Sequence, residues 1–260
     1  MIYTNRDYGI STIKARSNHS CYGMGLGIMI LDEVYPGFPG DVRNASAFPF
    51  PIQYEIVEGI DIDKLVFMDD KSQCLEPILK AAKKLEKMGC RAIAAECGYF
   101  AYFQQEVAKH VNIPVFMSSL LQIPMMQQVV GLGNQIGIVC AAKDKLTPTH
   151  LKNVGVDPNS NIVVAGVLDD YPCPEFDTMW RANGTVPEGN FSKAEADMVS
   201  LCKDFVAKNP GIKALMFECT GLQPFARAVQ REIDLPIFSW STLLDYAYSV
   251  VVHREHYGHV

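Results

Sequence analysis

GCRAIAAECGYFAYFQQEVAKHVNIPVFMSSLL, residues 89 to 121, returns as GIKALMFECTGLQPFARAVQREIDLPIFSWSTL, residues 211 to 243, with no gap between the two copies. Identities fall at Gly89/Gly211, Ala92/Ala214, Glu96/Glu218, Cys97/Cys219, Phe103/Phe225, Val107/Val229, Pro114/Pro236, Phe116/Phe238, Ser119/Ser241 and Leu121/Leu243. Self-similarity at a fixed offset marks one supersecondary unit built twice. Two ordinary amphipathic units would resemble each other in composition, but that alone would not bring the two Glu-Cys pairs into register.

Working outward, each copy has the same grammar. An apolar strand (Ala92 to Ala95, Ala214 to Phe217) ends at Glu-Cys. A helix with an apolar stripe follows (Phe103, Val107, Val111; Phe225, Val229, Ile233), then a short PVF or PIF strand. Before the first copy, Leu75, Ile78, Leu79, Ala82, Leu85 and Met88 keep helical spacing and stop at Gly89, a natural C-cap. Before the second, Ser192 and Glu195 form a capping box ahead of Met198, Leu201, Cys202 and Phe205. Further strands are predicted at Gly27 to Leu31, near Gln53 to Val57, at Gln135 to Cys140 and at Asn161 to Ala165. Strands alternating with helices predict an α/β protein whose parallel sheets are covered by helices. Two pseudo-symmetric parallel-sheet α/β domains are therefore expected, with the active site in the cleft between them. Domain one would comprise residues 1–120 plus 241–260 and carry Cys97; domain two, residues 121–240, would carry Cys219. In this division the helices Leu121 to Val130 and Leu243 to His253 each leave one half and pack on the other.

Composition narrows the function classes. With 48% apolar and 20% charged residues the chain can bury a large core. A net charge of −6 without a lysine or arginine cluster argues against nucleic acid. The first residues, MIYTNRDYGIST, show no export leader, and no apolar run is long enough for a membrane span, so a cytoplasmic protein without membrane association is expected. Eight cysteines without a C-x-x-C pair are then reduced thiols, and the sequons at Asn18, Asn44, Asn183 and Asn190 carry no meaning. The G-x-G-x-G run at Gly23, Gly25 and Gly27 precedes a strand instead of following one, which discounts NAD. His253, His256 and His259 fit a solvated tail better than a zinc site, and no metal is expected. No G-x-S-x-G elbow points to a serine hydrolase.

In parallel α/β sheets, ligands bind beyond the carboxyl ends of the strands. Cys97 and Cys219 fall there, each directly before a helix start, whose field attracts an anion and lowers a thiol pKa. A small carboxylate could lie between the two starts with a sulfur on either side of one carbon.

The stretches AAECGYFAYFQQEVAKHVNIPVFMSSLLQIP, QIGIVCAAKDKLTPTHLKNVGV and ALMFECTGLQPFARAVQ resemble the aspartate/glutamate/hydantoin racemase superfamily across about residues 20–245. The resemblance implies two pseudo-symmetric domains, no cofactor (neither pyridoxal phosphate nor metal), and Cys97 and Cys219 as an acid/base pair. It also implies that Gly98, Tyr99, Ser118, Ser119, Thr220 and Gly221 hold the substrate carboxylate. The first copy departs from the family in carrying Glu96 where a small polar residue is expected. An anion there would raise the Cys97 pKa.

The expected function is a cofactor-independent isomerase: a racemase or epimerase of a small carboxylate, with an amino acid such as aspartate or glutamate first. One thiolate removes the α-proton while the opposite thiol donates another. Alternatives on the same fold are a hydantoin racemase, a maleate-type cis-trans isomerase and a decarboxylase; a two-lobed anion-binding protein without chemistry is the different class. The remaining cysteines, Cys21, Cys74, Cys90, Cys140, Cys173 and Cys202, are expected to be core thiols. Glu96 and Glu218 should point away from the cysteines beside them and pair structurally. The Gly/Pro-rich loop from Tyr35 to Phe50 is a candidate lid from which Asn44 or Arg43 could read the substrate. A homodimer is compatible with this reading.

Overall fold

A computed structural model describes residues 14–17, 19–180, 186–254 and 256. His259 and the sequon positions Asn18 and Asn183, like the amino-terminal stretch read for a leader, lie outside these described residues.

Two four-stranded parallel sheets form the frame. The first contains β1 (Leu26–Leu31), β2 (Ile52–Val57), β3 (Ala92–Ala95) and β4 (Val115–Phe116) in the order β2-β1-β3-β4. The second contains β5 (Gln135–Cys140), β6 (Ile162–Gly166), β7 (Ile212–Phe217) and β8 (Ile237–Phe238) in the order β6-β5-β7-β8. The same order in both halves is the three-dimensional form of the sequence repeat. β3 and β7 are inner strands covered on both faces, which is why they read as nearly continuous apolar runs without alternation.

Helices cover both faces of each sheet. Against the first sheet, α1 (Ser72–Lys87) buries Cys74, Ile78, Ala81, Ala82 and Leu85. Its C-terminal stop is Gly89, whose φ of +90° only glycine adopts without strain. α2 (Gln104–His110) adds Val107 to that face. Between β4 and β5 runs α3 (Ile123–Val130), and α4 (Pro148–Asn153) follows β5. Ile123 and Met126 of α3 pack with Ile136, Ile138, Ala214 and Met216 of the second sheet. The second sheet's other face takes α5 (Pro174–Trp180), α6 (Phe191–Lys208) and α7 (Ala226–Ile233). The final helix, α8 (Trp240–Val251), leaves β8 and returns to the first sheet, burying Trp240, Leu243, Leu244 and Ala247 against Leu26, Ile28, Ala92 and Ala94. Each half thus supplies a helix to the other, and pulling the halves apart would expose both apolar faces.

One cap differs from the sequence expectation. α6 starts at Phe191 and is capped by Asn190, whose side chain accepts from the Lys193 N–H at 3.1 Å, so Ser192 lies within the first turn. Asn is as good a cap as Ser, and its position one residue before an apolar side chain lets the helix begin two residues earlier. Among the described residues no helix is long and apolar enough to cross a membrane.

Candidate active site

Register places the two thiols together. β3 and β7 are matching strands of the two sheets, and Cys97 and Cys219 lie just beyond their carboxyl ends, after Glu96 and Glu218. Each cysteine opens a 3-10 turn, Gly98–Phe103 or Thr220–Phe225, that runs on into α2 or α7. The thiols share one cavity of about 390 Å³, with Tyr99, Thr220 and Gly221 in its wall. A larger cavity, about 950 Å³, lies near the amino end of β1 and is lined by neither thiol of the pair. Ligands of parallel sheets gather at the carboxyl ends, so the smaller cavity is the candidate site.

The electrostatics correct one expectation. The Tyr99 N–H meets the Cys97 thiol and the Gly221 N–H meets Cys219, and both contacts favour thiolate. Burial outweighs them. Both thiols keep part of their surface open to the cleft, yet protein encloses them deeply enough to push each well above the usual thiol range, with Glu218 the next cause for both. A 3-10 turn at each cysteine does not supply the field expected of an α-helix start, and desolvation decides the sign.

The two glutamates part company. Glu96 is buried and paired: its carboxylate accepts from the Leu31 N–H at 2.8 Å and from Arg43 Nη2 at 2.6 Å, with Arg43 Nε on its other oxygen. Arg43 also donates to the carbonyls of Leu31 and Glu33, and its guanidinium lies 4.8 Å from the Tyr35 ring centre. Arg43 therefore fixes the loop to the end of β1 and is not free to read a substrate. Glu218 is fully buried too, but neither carboxyl oxygen has a partner among the described residues. The expected structural pairing holds for Glu96 and not for Glu218.

Other predicted binding residues sort by geometry. Tyr99 lines the cavity, but its hydroxyl donates to the Ala142 carbonyl at 2.7 Å and accepts from the Ala142 N–H, tying the first 3-10 turn to the loop after β5. Asn44 is not brought to the cavity; its side chain accepts from the Ser46 N–H and caps a local turn. Ser118 caps the turn before α3. Ser119 is buried and donates to the carbonyls of Phe217 and Glu218 at 3.0 and 3.3 Å, buttressing the end of β7. Gly98 faces the Glu218 carboxyl, which occupies the space a side chain would need. Gly221 is bare for a parallel reason: an added Cβ would lie 2.8 Å from Trp180 Cζ2.

The acidic and aromatic part of the cavity wall is what sequence reasoning missed. Asp32, Glu33 and Asp61 line it together with Tyr35, Met179 and Trp180, and no lysine, arginine or histidine is among the described lining residues. Burial pushes the Glu33 carboxyl up to about 7, partly offset by the Ile62 N–H donating to it. Trp180 comes from α5, which lies outside the repeat, so the internal alignment gave no signal for it.

No family model matches the chain. Dimethylsulfoniopropionate lyase 3 of Emiliania huxleyi is 30% identical over 241 residues, covering 90% of this chain and 61% of that protein. The dimethylsulfoniopropionate lyase of Durusdinium sp. clade D is 29% identical over 238 residues, covering 90% of this chain and 77% of its own length. The chain thus spans about three fifths of the Emiliania relative's length. Among solved structures, a mutant arylmalonate decarboxylase superposes with a TM-score of 0.55 at 13% identity, covering 87% of this chain and 92% of its own. Allantoin racemase of Pseudomonas fluorescens superposes with 0.52 at 12% identity, over 87% of this chain and 90% of its own. The likeness to these two structures is one of fold, two parallel-sheet α/β halves. The sequence relatives, however, are named lyases, which overturns the isomerase assignment and the amino-acid racemase reading with it. The physical reason is that taking a proton from the carbon beside a carboxylate opens racemisation and elimination alike, so paired thiols do not tell them apart.

Proposed function

We propose that the chain is a lyase that eliminates an onium group, which departs as a neutral molecule, from a small carboxylate, with dimethylsulfoniopropionate as the first candidate. The observation that carries the reading is the cavity wall itself. Two thiols at the strand ends face carboxylates and aromatic rings, with no basic side chain among the described lining residues. That surface suits a molecule whose positive end lies against Tyr35, Trp180 and the acids, because aromatic faces and carboxylates both attract an onium charge. Its carboxylate end would meet the backbone around Thr220 and Gly221. The names of the sequence relatives support the same substrate.

The chemistry follows from the substrate's own connectivity. A thiolate of the pair takes the proton from the carbon next to the carboxylate, and the C–H electrons become the new C=C bond. The bond from the neighbouring carbon to the sulfonium sulfur breaks, and its pair stays on sulfur. Acrylate and neutral dimethyl sulfide leave. A neutral leaving group needs no acid, so the reaction asks for one base and for positioning; a placed base supplies on the order of 10²- to 10⁴-fold. Cys97 and Cys219 are the base candidates, and Tyr99, Thr220 and Gly221 shape their surroundings.

The test is to mix the purified protein with dimethylsulfoniopropionate and follow dimethyl sulfide in the headspace and acrylate by NMR, beside Cys97→Ser and Cys219→Ser. The uncharged thioether 3-(methylthio)propionate serves as control. Release by the wild type, absent with the thioether and lost in the cysteine variants, supports the reading. No release, or release indifferent to both cysteines, removes it.

A further inference from the structure

The repeat places a glutamate before each cysteine, and the fold treats the two in opposite ways. Glu96 is neutralised by Arg43 and the Leu31 N–H. Glu218 is fully buried with both carboxyl oxygens unpartnered among the described residues. It is not there through slack. Its N–H donates to Val139 O at 2.9 Å, and its carbonyl accepts from Trp240 Nε1 at 2.7 Å and from Ser119 Oγ at 3.3 Å. The side chain crosses to the other half and rests against Gly98, the residue after Cys97. The groups that feel its charge are Cys97 and Tyr99 from the first half, Cys140 at the end of β5, and Cys219 next to it in the chain. Among the described residues no cation offsets its burial.

Leaving a carboxyl without partners in such a place costs stability, and an apolar side chain of similar size would fill the space without that cost. What a carboxyl adds there is a proton site. We propose that Glu218 is the proton partner of the cysteine pair, taking the proton that a thiol gives up to become the base and passing it on once per turnover. This rests on the lyase reading. Elimination delivers one proton from the substrate carbon to sulfur. The S–H bond then breaks, sulfur keeps the pair as thiolate, and the proton forms an O–H bond on Glu218. That O–H yields its proton to water entering the emptied cleft, so the one proton released by the reaction leaves the enzyme. Acting through sulfur and not on the substrate, Glu218 is a positioning residue. Burial lifts its carboxyl from 4.5 to about 8, toward the thiols that burial raises as well, which narrows the gap a proton crosses between sulfur and oxygen. Glu96, held by Arg43, has no such freedom.

The experiment reads thiolate formation without any substrate: the rate of iodoacetamide modification at Cys97 and Cys219 against pH, resolved by mass spectrometry, in the wild type, Glu218→Gln and Glu218→Asp. Groups that share protons titrate in coupled steps. A two-step wild-type profile that collapses to one step in the Gln variant is expected. With dimethylsulfoniopropionate, the Gln variant's kcat should fall roughly hundredfold, with KM unchanged and partial recovery in the Asp variant. A single-step wild-type profile, which needs no variant to observe, overturns the proposal; so does a Gln variant with wild-type profile and kcat. A coupled profile in a protein that releases no dimethyl sulfide would keep the shared proton and remove the lyase reading instead.

Discussion

Replacing Glu218 by glutamine should change the stability of the fold in a way that depends on pH, with a sign fixed by burial. The carboxyl's pKa rises from an ordinary 4.5 to about 8 in the folded chain because protein surrounds it on every side. Below about pH 4.5 both folded and unfolded chains hold the proton, so the residue's stabilising contribution is fully present there. Above it the unfolded chain ionises and the folded chain does not. Each further pH unit then favours unfolding by about 1.4 kcal/mol, until the folded carboxyl ionises as well. Across the whole window the loss is about 5 kcal/mol, complete once the pH has passed 8. Glutamine has nearly the same shape and does not ionise. Denaturant titrations of both proteins at a series of pH values from 5 to 9 give the check. The difference, Gln variant minus wild type, should climb in favour of the variant by about 1.4 kcal/mol per unit up to pH 8 and then level off. Other raised carboxyls such as Glu33 and Asp41 titrate in both proteins and cancel in the subtraction. A difference that stays constant with pH would refute the reasoning, since it would mean that Glu218 has the same proton affinity folded and unfolded.

Three other perturbations test the frame around the site. Arg43→Ala leaves Glu96 buried without its counter-ion and should cost about 3–5 kcal/mol, with part recovered when Glu96→Gln is added; unfolding titrations of the single and double variants decide it. Gly98→Ala drives a methyl into the Glu218 carboxyl and backbone, so a loss of about 1–3 kcal/mol together with loss of turnover is expected by thermal melting and dimethyl sulfide assay. Tyr99→Phe strips the Ala142 N–H and carbonyl of a buried partner, and about 1–3 kcal/mol should disappear from stability while the cysteines keep their reactivity toward iodoacetamide.

The repeat makes the architecture legible in the sequence. β3 and β5 fall where the apolar runs placed them, and the remaining strands shift by only a residue or two at their ends. The reason is local: inner parallel strands must be apolar on both faces, and their helices must keep a 3.6-residue stripe, so periodicity reports both. Helix starts were less legible. Asn190 caps α6 in place of Ser192, and the chain winds through 3-10 turns before α2, α3 and α7, distinctions that depend on hydrogen bonds no pattern records.

By itself the sequence determined that two like halves each end a central strand at Glu-Cys, because that needs only periodicity and register. Only the tertiary structure decided what those residues face. It placed Trp180 over Gly221, gathered Asp32, Glu33 and Asp61 on the cavity wall, and gave Arg43 to Glu96 while leaving the Glu218 carboxyl against Gly98 with no partner among the described residues. Identical dipeptides acquired opposite electrostatic fates because charge depends on neighbours in space, and Arg43, which pairs with Glu96, comes from a part of the chain that the repeat does not copy.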